Sequence, residues 1–205
     1  QLIAKPTGFV SANIHSSVSG TVAAVEPYAD LAGNPVMHVI IDVEGDEWEE
    51  SIDRTPDVVR DITLSKEEII KRIQDCGIVG LGGASFPTHI KLTPPPGKVA
   101  EYLLINGAEC EPFLTSDYRL MLEQPEQVLI GAKIMMKALD VKKCRFGVEE
   151  NKPEAIAKLK SFSAQYPEIE IVPLKKKYPQ GGEKQLIEAL TGRRVPSMGL
   201  PIDAG

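Results

Sequence analysis

Between residues 100 and 190, short apolar runs alternate with stretches of helical period, and this alternation limits the fold more than any other feature of the chain. Residues 100–105, 144–148 and 169–174 read as strands. Residues 125–139 read as a helix that opens on proline and offers Val128, Leu129, Ala132, Met135, Met136 and Leu139 for burial, the methionines as core. Asn151 is expected to cap a helix running to about residue 166, with Glu154 as its box-like partner, and residues 183–190 give a last short helix. Strands separated by helices return in the same direction, so the pattern implies a Rossmann-like parallel sheet with helices packed on it, an α/β architecture.

Upstream, Ser65 and Glu68 form a capping-box pair ahead of Ile69, Ile70, Ile73 and Cys76 at helical spacing. That helix runs into residues 77–91, Gly-Ile-Val-Gly-Leu-Gly-Gly-Ala-Ser-Phe-Pro-Thr-His-Ile-Lys. Gly80, Gly82 and Gly83 permit positive φ and close approach of a ligand to the backbone, and Lys91 adds a cation suited to a phosphoryl group. The segment is not the dinucleotide fingerprint of the doubly wound fold, which wants a strand before it and a glycine where Ser85 stands. From the loop alone, a turn between packed elements and a ligand cradle are equally good readings.

Residues 1–45 carry short β-rich runs punctuated by Gly, Pro, Ser and Asn. Residues 14–22 resemble the turn region of biotinyl and lipoyl carrier-like sandwiches, without the lysine that would carry a prosthetic group. We expect a partial all-β barrel-sandwich segment, then an acidic linker over 46–64 that Trp48 and Pro56 pin to a neighbour, then an α/β domain over 65–205. His15 and His38 lie on candidate strands without partners and are structural.

A net charge of −6 leaves no basic excess for nucleic acid, and the lysine runs 142–143 and 175–177 read as solvated. No apolar run approaches bilayer length. The three cysteines lack metal-ligand spacing, and each is expected to be a small buried apolar residue; Cys110, between two glutamates, is not read as a nucleophile.

Ligands of parallel sheets gather at the carboxyl ends of the strands, and the unusual residues lie there. After the first strand comes Asn106-Gly107-Ala108-Glu109-Cys110-Glu111-Pro112, and after the third Tyr178-Pro179-Gln180-Gly181-Gly182-Glu183. With the glycine-rich segment, these loops resemble the C subunit of the Rnf-type ion-translocating electron-transport complex, itself similar to the FMN- and NADH-binding subunit of respiratory complex I. The resemblance covers the whole chain.

It implies an FMN cradle with Gly80, Gly82, Gly83 and Lys91 at the phosphate and ribityl end, Asn106 at the flavin, Glu109 nearby, and Tyr178, Gly181 and Glu183 on the opposite wall. Phe86 would stack on NAD(H). Leu81, Ser85, Ala108 and Gly182 depart from the complex I pattern, which weakens the nicotinamide site more than the flavin site. No catalytic side chain and no metal ligand is implied in this stretch; the family's two [4Fe-4S] clusters would lie in a segment that this chain does not contain. The chain is therefore expected to be a fragment, inactive by itself and weak in holding FMN.

The resemblance further implies electron transfer between ferredoxin and NAD, coupled to Na⁺ or H⁺ translocation by partner subunits, including integral membrane ones. Ferredoxin is an indirect partner, and the location is peripheral, on the cytoplasmic side of the cell membrane. The competing expectation is an assembly module with a degenerate flavin-like domain and no cofactor, favoured by Leu81, Ala108 and Gly182.

Overall fold

The structure, a computed structural model, describes residues 1–204. Its residues group into two compact units, 1–57 with 72–89, and 58–71 with 90 onward. The segment that carries Gly80, Gly82, Gly83 and Phe86 thus groups with the β-rich start of the chain rather than with the parallel sheet.

In the first unit, β1 (Leu2–Ala4) pairs antiparallel with β2 (Ile14–His15), and β3 (Gly20–Ala29) pairs with β4 (Pro35–Val43). The β3–β4 turn is closed by Asp30, whose Oδ1 accepts from the N–H groups of Ala32 and Asn34, both at 2.8 Å. A bulge between Val22 and Ala24 shifts the register, as irregular residues in antiparallel pairs do.

The acidic stretch is tied both to itself and to distant residues: Ser19 Oγ donates to the Glu47 carbonyl at 2.6 Å, and Arg60 donates to both Glu126 carboxylate oxygens at 2.7 and 2.9 Å. Trp48 Nε1 donates to Asp46 at 3.0 Å, and Arg54 lies 4.5 Å over the indole. Helix α1 (Lys66–Asp75) starts on the expected box: Ser65 N–H donates to Glu68 Oε2 at 2.7 Å, and Glu68 N–H donates to Ser65 Oγ at 3.2 Å. Its far end is capped by Asn13, whose Nδ2 donates to the Gln74 and Asp75 carbonyls, and by the His15 ring 2.9 Å from the Asp75 carbonyl.

Both histidines therefore have partners, contrary to the sequence expectation; His38 Nδ1 lies 2.7 Å from the Val36 carbonyl, and its ring meets Tyr28 edge-on. Their structural role stands. The cysteines also differ from expectation: Cys144 is buried, Cys110 half-buried and Cys76 exposed. Burial pushes the Cys144 thiol up to about 12, so it stays a neutral apolar filler.

After the four-residue helix α2 (Thr88–Lys91), the second unit is built on β5 (Leu103–Gly107), β6 (Cys144–Glu149) and β7 (Ile169–Leu174), parallel and in the order β5-β6-β7. The crossovers are α3 (Ser116–Glu123) with α4 (Pro125–Leu139), and α5 (Pro153–Ser163). Helix α6 (Glu183–Thr191) follows β7. Period-2 alternation divides the strands between two cores. Leu103, Phe146, Val148, Ile169 and Ile171 pack with Leu129, Ala132, Met136 and Leu159 of the crossover helices. Leu104, Val172 and Leu174 pack with Leu186 and Leu190 of α6.

Three expectations are corrected here. Helix α5 is capped at Lys152, with Pro153 at its first position, rather than at Asn151 with a box to Glu154. Glu154 instead accepts a short hydrogen bond from the Tyr118 hydroxyl. Helix α3 has no counterpart in the sequence expectation, although Tyr118, Met121 and Leu122 fall at helical spacing and Met121 is buried. It forms because Glu109, seven residues before it, satisfies its free N–H groups.

Candidate functional site at the carboxyl edge of the sheet

Strands β5, β6 and β7 end at Gly107, Glu149 and Leu174, and the segments that leave them form one edge. Two of these segments touch. A Cβ at Gly181 would stand 2.4 Å from the Ala108 carbonyl oxygen, so glycine is what lets the backbones meet. Asn106 fastens the same contact, its Nδ2 donating to the Gly181 carbonyl at 2.9 Å and its Oδ1 accepting from Ala108 N–H at 3.1 Å.

Below this contact lies a buried charge cluster. The Glu109 side chain is 4% exposed and that of Lys152 11%, with Lys152 Nζ 3.1 Å from Glu109 Oε2. The same ammonium donates to the Glu109 carbonyl at 3.3 Å and lies 3.9 Å from Glu149 Oε2. Glu109 also caps α3, accepting from Asp117 N–H at 2.9 Å, Tyr118 N–H at 3.3 Å and Ser116 Oγ at 3.3 Å.

Burial works against the ionised form of Glu109, but the Asp117 N–H, the bond and charge of Lys152 and the Tyr118 N–H together outweigh it, and its carboxyl is held below the ordinary value. Asp117 moves the other way, pushed up by its own burial and by the Glu109 charge against a smaller pull from Lys152. Two buried acceptors at this edge, Glu149 Oε1 and Gln180 Oε1, have no hydrogen-bond partner among the described residues. Buried oxygens of that kind are costly unless a donor reaches them.

Of the residues expected at a site, Asn106, Glu109, Tyr178, Gly181 and Glu183 lie on these segments. Tyr178 is 72% exposed; Glu183 is exposed at the first position of α6, where its charge complements the helix end. Lys91 is exposed at the end of α2 and makes no ion pair among the described residues.

Gly80, Gly82, Gly83 and Phe86 lie in the first unit, on a loop closed by Gly80 N–H donating to the Phe86 carbonyl at 3.0 Å and Thr88 N–H to the Ile78 carbonyl at 3.0 Å. None of the three glycines takes positive φ; Ser85 does, at 52°. What distinguishes Gly82 and Gly83 is space, since a Cβ at either would meet nothing within 4 Å. One residue that sequence reasoning missed is Lys152. Buried lysines are rare, and Glu149 three positions before it was the one local signal.

Comparisons with known proteins identify the family. Residues 73–205 match the model of the Nuo51 FMN-binding domain, about two thirds of the chain, and residues 1–46 match the RnfC barrel sandwich hybrid domain. The chain belongs to the Nuo51 FMN-binding-domain family. Along its whole length it is 47% identical to the C subunit of the proton-translocating ferredoxin:NAD(+) oxidoreductase complex of Clostridium ljungdahlii, covering 44% of that protein. It is 46% identical to the C subunit of the Na(+)-translocating complex of Acetobacterium woodii, covering 46% of it.

The chain thus spans less than half the length of these relatives. A crystal structure of an NAD+-reducing [NiFe]-hydrogenase superposes with a TM-score of 0.53 at 26% identity, over 62% of this chain and 24% of that one. The expected resemblance and the α/β fold behind a barrel-sandwich start are borne out.

The residues present fit FMN. The sheet edge presents unsatisfied acceptors at Glu149 and Gln180 and an exposed aromatic at Tyr178, and Lys91 of the same unit is a cation without an ion pair among the described residues. In the first unit, the open backbone at Gly82 and Gly83 has room for a ligand lying against it.

Proposed function

We propose that the protein is the flavin-binding part of a membrane-associated complex that passes electrons between ferredoxin and NAD, coupled to Na⁺ or H⁺ translocation by partner subunits. The observation that carries this reading is the convergence of Asn106, Glu109, Gly181 and Tyr178 at one edge of the sheet, within the segment that matches the FMN-binding domain. Residues 65–205 are taken as that domain, 46–64 as a linker and 1–45 as part of the barrel sandwich.

When bound, FMN supplies hydride acceptance from a nicotinamide and onward transfer of single electrons. The chain's own residues position and tune it. Lys91 would hold the phosphate, while Asn106, Tyr178, Gly181 and Glu183 line the ring side. Glu109 acts through the scaffold, fixing the first loop to α3 and to Lys152. Phe86 is assigned to nicotinamide stacking. The two [4Fe-4S] clusters expected for the family are assigned to the part of the longer relatives that this chain does not match. No helix of the described residues is long and apolar enough to cross a membrane, so attachment on the cytoplasmic side is assigned to integral membrane partners.

One observation favours the assembly-module reading: part of the Asn106 amide and all of the Glu109 carboxylate are used inside the chain. The visible spectrum of the full polypeptide purified from its own host decides between them. Flavin absorption in the blue, bleached by NADH, supports the proposal, and a colourless protein overturns it. Lys91→Glu places a carboxylate against a phosphate, which costs about 1 kcal/mol in water and several inside a protein, and should empty the site without unfolding the chain.

A further inference from the structure

Phe113 stands where the local chemistry asks for glycine. Leu114 N–H donates to the Glu111 carbonyl at 3.4 Å, which closes a four-residue turn with Pro112 at its second position and Phe113 at its third. Phe113 has φ of 68° there. A turn with proline second and positive φ third takes glycine or asparagine at that place, since a Cβ is crowded in the left-handed region. Packing does not compensate, because the ring is fully exposed, at 101% of its reference area.

The turn is nevertheless firmly held on both sides. Glu109 before it is buried and paired with Lys152, and Ser116, Asp117 and Tyr118 after it donate to the same carboxylate. A strained, solvent-facing aromatic on a rigid base at the carboxyl end of β5 is placed to meet something from outside. Tyr178, 72% exposed, leaves the same edge on the segment that touches the first at Ala108 and Gly181.

We infer that Phe113 is a stacking platform for a planar heterocycle of a dinucleotide, the nicotinamide or the adenine ring of NAD(H). The inference rests on the function proposed above and adds to it a residue that the sequence did not single out. A flat, sequence-tolerant face is what an exposed ring offers to a base. A rigidly held ring offers it at little ordering cost.

The test uses the full polypeptide and its Phe113→Gly and Phe113→Tyr variants, titrated by calorimetry with ADP-ribose and separately with nicotinamide mononucleotide. Phe113→Gly should raise the thermal midpoint, because glycine relieves the turn, while FMN content stays unchanged and one of the two probes binds about five- to hundredfold more weakly. Phe113→Tyr should keep wild-type affinity. The probe that weakens names the base. If both probes bind the glycine variant as tightly as wild type, or neither binds wild type, the inference is overturned. Unchanged probe binding with failed assembly into the complex would assign the ring to a protein partner and overturns it as well. Absence of FMN from the wild-type protein would sink the function proposed above, whereas the titrations, which need no flavin, still decide the role of Phe113.

Discussion

At Gly82 and Gly83 an added Cβ would meet no atom within 4 Å, whereas at Gly181 it would stand 2.4 Å from a backbone oxygen and at Gly182 2.5 Å from Gln185 Oε1. The two loops have similar glycine content, and the chain uses it differently. In the second unit, glycine makes room for the chain itself: Gly181 lets one loop press on Ala108, and Asn106, Glu109 and Lys152 lock the contact from below. In the first unit, the fold makes no use of the room that Gly82 and Gly83 leave. A glycine needed by the fold shows a close neighbour, as Gly181 does, or a positive φ, as Gly192 does at 72°; Gly82 and Gly83 show neither.

The largest effect that tests this contrast is expected at Lys152, the centre of the locked loops. Lys152→Met leaves Glu109 and Glu149 buried without their cation, and removing one partner of a buried pair costs about 3 to 5 kcal/mol. Urea unfolding of the sheet unit within the full polypeptide should show that loss. A change under about 1 kcal/mol, the size of an exposed pair, would mean that the cluster is hydrated and locks nothing.

Next comes Gly181→Ala. The clashing atom is backbone, so the two loops must move apart, and overpacking of this kind costs about 1 to 3 kcal/mol. The measurement is again the urea midpoint, with hydrogen exchange at Ala108 and Gly181 reporting whether the loops separate. An alanine variant as stable as wild type would show that the contact gives way freely and would erase the difference between the two glycine loops.

Glu109 gives a smaller, pH-dependent effect. Its folded carboxyl lies below the unfolded value of about 4.3, so it contributes stability above that value and loses it as pH falls through the lowered folded value. Asp117 is raised and acts in the opposite sense, favouring the fold while it is protonated. Glu109→Gln keeps most of the shape and leaves Lys152 its second carboxylate, Glu149, so at neutral pH the loss should be about 1.5 kcal/mol, the low end for a hydrogen bond to a charged group. Stability followed from neutral pH down to about pH 3, below the ordinary carboxylate range, should fall less steeply in the variant. Parallel curves would remove Glu109 from the acid response.

Much of this contrast was legible in the residues, but not all of it. Period and composition located β7, α4 and α6 closely, because each buries a regular apolar stripe: Leu129, Ala132 and Met136 in α4, Leu186 and Leu190 in α6. The box at Ser65 and Glu68 was legible because its two bonds are local. Helix α3, the cap position at Lys152 and the partners of His15 were not, because each involves a residue outside its own element that no local pattern reports: Glu109, seven residues before α3 and 43 before Lys152, and Asp75, 60 residues from His15. Phe113 was missed because the turn type at residues 111–114 shows only in its φ. The site loops were found through family resemblance. Which glycines pack against the chain and which do not required atoms.

The smallest expected effect on stability decides the most about the first unit. Gly82 and Gly83 do not take positive φ and have open space around them, so alanine fits both without strain. At such a position Gly→Ala narrows the unfolded ensemble and contributes about 0.4 to 1 kcal/mol in favour of folding. The double variant Gly82→Ala, Gly83→Ala should therefore unfold at the same temperature as wild type or slightly higher. If the glycines are there for a ligand, the methyl groups occupy the space in which it lies against the backbone, and the purified full polypeptide should lose FMN even as its stability holds. Stability and flavin content respond in opposite directions only under that reading. A variant that keeps both would show that the loop needs glycine for neither, and one that loses stability first would put Gly82 and Gly83 in the same class as Gly181.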